Sequence, residues 1–177
     1  FTANDPKARA YALNRAKRTV DIANELETNF MVLWLAREGT YLRESKDVVR
    51  ATHQLLEAVD ALLDYDPNLR IAIEPKPNEP MDQAYIPTIG HALALGFQTK
   101  DPDRVGVLLE SAHAILAGLD PADEIGESIE RAELFGQFLH VLFQAEERLR
   151  RAVARALQRL LAAGPHDLVE PSHVRDV

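Results

Sequence analysis

Ile71-Ala72-Ile73-Glu74-Pro75-Lys76-Pro77-Asn78-Glu79-Pro80 is the stretch on which the reading of this chain turns. Three apolar residues deliver a carboxylate into a turn with three prolines in six positions. A short apolar run with a hard stop is the pattern of a strand buried in a parallel sheet. Proline lacks an amide hydrogen and fixes φ, so neither a helix nor a central strand continues through it. Glu74, Lys76 and Glu79 are thereby expected on a stiff loop at the C-terminal end of a strand. In α/β folds that end is where ligands bind.

Outward from this stretch, the pattern alternates. Asp5-Pro6 reads as a helix start, an acceptor at the cap followed by proline at the first position. Phe30 to Leu35 reads as a first buried strand. Ser45 is expected to cap a second helix that carries Val48, Leu55, Val59, Leu62 and Leu63 on one side. Leu69 to Ile73 is the second strand. Pro87-Thr88 opens a short helix through about Phe97, and Val105 to Leu109 is the third strand. Strand, helix, strand, helix, strand implies a parallel sheet with right-handed crossovers. Asp120-Pro121 is another helix start. From about Ile129 to Ala163 the run is rich in Ala, Glu, Arg and Leu, and only Gly136 interrupts it. Gly164-Pro165 ends the run, and a loose tail is expected after it.

Composition narrows the function classes. A net charge of −8 argues against nucleic acid as the main partner. The chain has no cysteine, so disulfide and thiol chemistry are absent and a cytoplasmic origin is expected. No apolar run approaches the roughly 18 residues of a membrane span, and no stretch reads as a signal peptide.

The decamer resembles the Glu-Pro-Lys-Pro-Asn-Glu-Pro signature of xylose isomerase and related metal-dependent sugar isomerases. Further segments are similar to that family and keep its order. They are Phe1-Thr2-Ala3-Asn4-Asp5, Val32-Leu33-Trp34 with Arg37-Glu38-Gly39, Pro87 to Leu93, and Val105 to His113. The resemblance runs from Phe1 to about Ala122. It implies an α/β fold: a partial TIM-barrel-like parallel sheet of three to four strands with flanking helices. A complete barrel of this type takes about 250 residues, and the chain has 177. The expected organisation is a barrel segment over 1–122, a long helical segment over 123–164 that covers the open face and reads as a graft, and a tail over 165–177.

If the second and third strands pair, Glu74 and Glu110 project from matching ends of strands about 4.8 Å apart. Two carboxylates so placed suit a hard divalent cation, and His113 follows Glu110 by three residues. The resemblance implies that Glu74 is a ligand of a first metal, that Glu110 bridges, and that His113 binds a second. It further implies that Lys76 polarises the sugar carbonyl oxygen and that Trp34 and Phe1 wall the apolar face of the substrate. Glu79 lies in the same signature and is counted with the substrate-binding residues. The implied cofactors are Mg, Mn or Co. The family reaction moves a hydride between C1 and C2 of an open-chain sugar, with two cations as Lewis acids. The family's further aspartate ligands and its ring-opening histidine–aspartate pair have no counterpart positions here, so metal binding is expected to be weak or absent and sugar binding is doubtful. An ion-pair cluster of Glu74, Lys76 and Glu110 is the plainer reading of the same residues.

The expected function is therefore that of an engineered or truncated derivative of an aldose–ketose isomerase. It is expected to lack catalytic activity on its own and to serve as a structural scaffold or assembly unit. The alternative is an active sugar isomerase whose site is completed by oligomerisation. Exposed sheet edges or the long helix would support a homodimer. His53 and His91 read as ordinary helix residues, and Arg151, Arg155 and Arg159 as a solvated face.

Overall fold

The computed structural model describes residues 1–35, 37–38 and 40–135. Those residues fall within one compact unit, Phe1–Leu139. α1 spans Pro6–Glu25, β1 Phe30–Trp34, α2 Val48–Tyr65 and β2 Arg70–Glu74. α3 spans Ile89–Gly96, β3 Val105–Val107, α4 Ser111–Leu116 and α5 Pro121–Phe135. Short 3₁₀ turns lie at Arg43–Ser45 and Pro102–Arg104. The strands form a parallel sheet in the order β1-β2-β3. Helices alternate with the strands, as expected of βα crossover units. The long helical segment, the Gly136 break, Arg151, Arg155 and Arg159, and the tail lie outside the described residues, apart from α5.

The alternation in the sequence produces the layers. β2, the central strand, buries Ile71, Ala72 and Ile73 completely. In β1 only alternate residues are buried: Met31 and Leu33 face the core, while Val32 and Trp34 are exposed. The core lies between the sheet and the helices. Leu55, Val59, Leu62 and Leu63 of α2 meet Ile71, Ile73 and Ile89 there. α3 packs against β3 at Gly96. A Cβ at Gly96 would meet Val105 Cγ1 at 3.4 Å.

Local chemistry sets the helix ends. Asp5 caps α1 through Lys7 N, with Pro6 in the first turn, as the sequence predicts. Thr88 caps α3 through His91 N. The cap of α2 is Asp47, whose side chain accepts from Arg50 N, and not Ser45. The Ser45 hydroxyl is engaged inside its own turn, with Leu42 O at 2.7 Å and Thr40 Oγ1 at 2.9 Å. β3 stops at Val107, short of the expected Leu109, although Leu108 N still donates to Ile73 O at 3.0 Å. α4 was not expected from the sequence. It follows β3 directly because Glu110 caps it by accepting from Ala112 N at 3.1 Å. α5 begins at Pro121, as expected, and runs without a break through the boundary placed at residue 122. Its Glu124 is buried and accepts the amide hydrogen of Ile89, which caps α3 from outside at 3.1 Å.

Two polar anchors hold the end of the sheet opposite the proline turn. Arg104 donates to Leu63 O, Asp66 O and Leu69 O at 3.0–3.2 Å and pairs with Asp101 at 2.6 Å. Asp66 accepts from Asn24 Nδ2 at 2.7 Å and Asn68 N at 2.8 Å. The Asn24 hydrogen bond, followed by that from Asn68 N, holds the Asp66 carboxyl below its ordinary 3.8. A depressed carboxyl contributes stability above its unfolded pKa and loses it as the pH falls through the folded value. Asn24→Ala is therefore expected to cost about 1–2 kcal/mol at pH 7. The difference from the unaltered protein should shrink as the pH is taken below 3.8. Urea unfolding at a series of pH values measures both.

Candidate functional site

The site forms where β2 runs into the proline turn. Trp34 and Glu74 are paired neighbours in the β1–β2 register, so both side chains leave the sheet at its C-terminal end. The Glu74 backbone ends the strand because Pro75 cannot extend the ladder. The turn that follows is held by its own backbone. Lys76 N donates to Ile86 O at 3.2 Å, Ala84 N to Pro77 O at 2.8 Å, and Glu79 N to Met81 O at 2.7 Å. Glu79 has φ 59°, a left-handed conformation that non-glycine residues seldom adopt, and it shapes the bend.

Four side chains meet on this face. The rings of His113 and Trp34 lie nearly parallel, 9° apart in plane with centroids 6.5 Å apart. Lys76 Nζ sits 5.2 Å from the centre of the Trp34 ring, a cation–π arrangement. His113 Nδ1 approaches Glu74 Oε1 at 3.5 Å. That separation is longer than an ordinary hydrogen bond, and Nδ1 is a buried nitrogen without a hydrogen-bond partner among the described residues. Lys76 also reaches Glu79 at 3.8 Å, with its own side chain 13 % exposed and that of Glu79 72 % exposed. Trp34 is 53 % exposed, so about half of its surface is open to solvent.

The sequence thus brings Glu74, His113, Trp34 and Lys76 together, with Glu79 at the rim. His113 was expected on a loop. It lies instead within the first turns of α4, because Glu110 starts that helix immediately after the sheet. Glu110 lies at the expected strand end, but its carboxylate is engaged at Ala112 N. The ion-pair cluster also takes another form: the contacts join Glu74 to His113 and Lys76 to Glu79. Phe1 is half-buried and packs against the main core.

The donor set can be tested against a divalent cation. Glu74 and the unpartnered Nδ1 of His113 face each other and are of the type such ions accept. Among the described residues, no third histidine, cysteine or carboxylate completes a group of three. Two donors fit, and a complete cage is not assembled.

A family model described as xylose isomerase-like TIM barrel matches residues 1–163. The chain belongs to this xylose isomerase-like TIM barrel family. The match extends well past residue 122, where the quoted motifs end, and so covers most of the segment that the sequence reading set outside the family. Within that family fold, the described residues supply a parallel sheet of three strands with its flanking helices. No described helix is long and apolar enough to cross a membrane.

Sequence reasoning overlooked a second polar cluster in this barrel segment. Thr2, Glu38, Lys46 and Tyr85 meet beneath the loop that follows β1. Thr2 and Glu38 lie in segments quoted above for their resemblance to the family, yet neither was given a role. A carboxylate inside an otherwise irregular loop, followed eight residues later by a lysine, was the available signal.

Proposed function

We propose that this chain is a sugar-recognition segment of the aldose–ketose isomerase type that does not isomerise as a lone monomer. It acts as a structural unit on which a complete site is built. The observation that carries this reading is the division of the three implied metal ligands. Glu74 and His113 face each other, while Glu110 Oε1 accepts the amide hydrogen of Ala112 as the cap of α4.

Glu74 and His113 would hold a divalent cation, Mg, Mn or Co, weakly and mostly hydrated. Such a cation, when bound, supplies Lewis acidity toward sugar oxygens. The remaining roles follow from the chain's own side chains. Trp34 is half-exposed, and its indole is the kind of apolar surface against which the C–H face of a sugar stacks. Lys76, held beside that ring, donates toward a carbonyl or hydroxyl oxygen. Glu79 at the rim accepts from hydroxyl groups.

The experiment is a titration of the purified chain with Mn²⁺, with and without xylitol, followed by an assay of aldopentose conversion. The expected result is metal binding on the order of millimolar, tightened by xylitol, and no conversion by the monomer. Aldose–ketose conversion at concentrations where the chain sediments as a monomer overturns the proposal.

A second reading is favoured by one observation. β1 lies at the margin of the described sheet, with Val32 and Trp34 exposed. Such an edge suits pairing with a second copy of the chain, which would bring further ligands to the site. In that case the specific activity rises with protein concentration as the dimer forms.

A further inference from the structure

The cluster of Thr2, Glu38 and Lys46 lies outside the Glu74 face and has chemistry of its own. Thr2 is 1 % exposed and Glu38 2 %. Thr2 Oγ1 lies 2.5 Å from Glu38 Oε2 and 3.1 Å from the Glu38 carbonyl oxygen. Lys46 Nζ donates to Thr2 Oγ1 at 2.6 Å and to the same carbonyl. Glu38 Oε1 is buried without a hydrogen-bond partner.

The proton count distinguishes two states of this cluster. A threonine hydroxyl has one hydrogen to donate and two lone pairs to accept with. If Glu38 is ionised, the hydroxyl hydrogen goes to Oε2, and Oε1 remains a charged, buried oxygen without a hydrogen-bond donor among the described residues. That arrangement is costly. If Glu38 carries a proton on Oε2, it donates that proton to Thr2 Oγ1. The hydroxyl hydrogen then turns to the Glu38 carbonyl, and Lys46 keeps both of its acceptors. The only oxygen left over belongs to a neutral carboxyl. The observed contacts suit this second state better.

We propose that Glu38 is a protonatable latch that fastens the loop following β1 to the chain segment at Thr2, closed when the carboxyl is neutral and loosened when it ionises. The same two stretches are joined by Asn4 Nδ2, which donates to Ser45 O at 3.2 Å. The groups around the latch are charged or titratable on several sides. Lys46 lies in one field with Glu38, and Arg9 donates to Ala3 O and Asn4 O of the segment that carries Thr2. Tyr85 packs beneath Lys46 at 5.0 Å and Arg43 at 5.2 Å, with Asp47 and Asp82 nearby. Burial outweighs the Thr2 hydrogen bond and the Lys46 charge, and pushes the Glu38 carboxyl above its ordinary 4.5. Burial also pulls the Lys46 ammonium below its ordinary 10.5. The latch matters to the site because β1 ends at Trp34, four residues before Glu38.

Trp34 is the single tryptophan of the chain and reports on the latch directly. The test is a pH titration of its fluorescence in a His113→Gln chain, where the neighbouring imidazole no longer contributes. A transition centred above pH 4.5 is expected, and it should vanish when Glu38→Gln is added. Thr2→Val in the same background should remove the transition, because the carboxyl then has no Thr2 hydroxyl to fasten to. This second variant decides the matter if circular dichroism shows that Glu38→Gln does not fold. No transition in the His113→Gln chain, a transition that survives Glu38→Gln, or one that Thr2→Val leaves in place would each overturn the latch.

Discussion

Glu74→Ala is expected to weaken Mn²⁺ binding at least about tenfold, the equivalent of about 1.4 kcal/mol. The reason is geometric. Glu74 is the carboxylate that faces the open nitrogen of His113, and among the described residues no third donor completes a set that could compensate. His113→Gln should have a similar effect, since it removes the other half of the same pair. Glu110→Ala separates two roles for its carboxylate. As the cap of α4 it should cost about 1 kcal/mol of stability and leave metal binding within about threefold, well short of a 1.4 kcal/mol loss. Calorimetric titration of the three variants, each checked for folding by circular dichroism, measures these effects. If Glu110→Ala matches Glu74→Ala, the carboxylate leaves the cap for the cation, and the division of ligands that underlies the proposed function fails.

Arg104→Ala is expected to lower the unfolding free energy by about 3 kcal/mol. The guanidinium of Arg104, 19 % exposed, satisfies the carbonyls of Leu63, Asp66 and Leu69 at once. Leu63 O is one of the last carbonyls of α2, which have no partner within the helix. A cation there also complements the negative end of the helix dipole. Removing it takes a donor from Leu63 O, Leu69 O and the Asp101 carboxylate, and leaves Asp66 O with the Leu69 amide. Arg104→Lys should recover only part of the loss, because an ammonium cannot reproduce the planar fork. Urea unfolding with an unchanged denaturant slope is the measurement. A loss below about 1 kcal/mol would show that water replaces the guanidinium without strain.

These two predictions stand differently toward the sequence. The place of Glu74 at a strand end was legible in it, because an apolar run that meets a proline is a buried strand with a hard stop. Ala72 and the flanking isoleucines fill a central strand, and their burial on both faces is what a continuous apolar run implies. Arg104 was missed. It lies in a stretch marked only by Asp101-Pro102-Asp103, and the carbonyls that its guanidinium holds come from 35 to 41 positions earlier in the chain. No local pattern encodes such a contact. The cap of α2 was misplaced for a related reason: Ser45 and Asp47 are both good caps in isolation. Only the folded turn at Thr40 and Leu42 shows that the serine hydroxyl is already engaged.

Glu110 shows the same limit at the site. Its position at a strand end follows from the sequence, but the direction of its carboxylate depends on α4 starting at Ser111. The latch residues lie further from sequence reasoning still. Thr2, Glu38 and Lys46 are separated by up to 44 positions, and what makes them a unit is shared burial.

By itself, the sequence determined the strand and turn at Ile71 to Pro80, the alternation of strands and helices, and the residue types at the strand ends. Those features depend on the local period of apolar residues and on proline geometry, which act between near neighbours. Tertiary structure alone decided which carboxylates meet an imidazole, which cap a helix, and which are sealed beside a lysine. Those outcomes are set by desolvation and by distances between segments remote in the chain, quantities that exist only after the layers have packed.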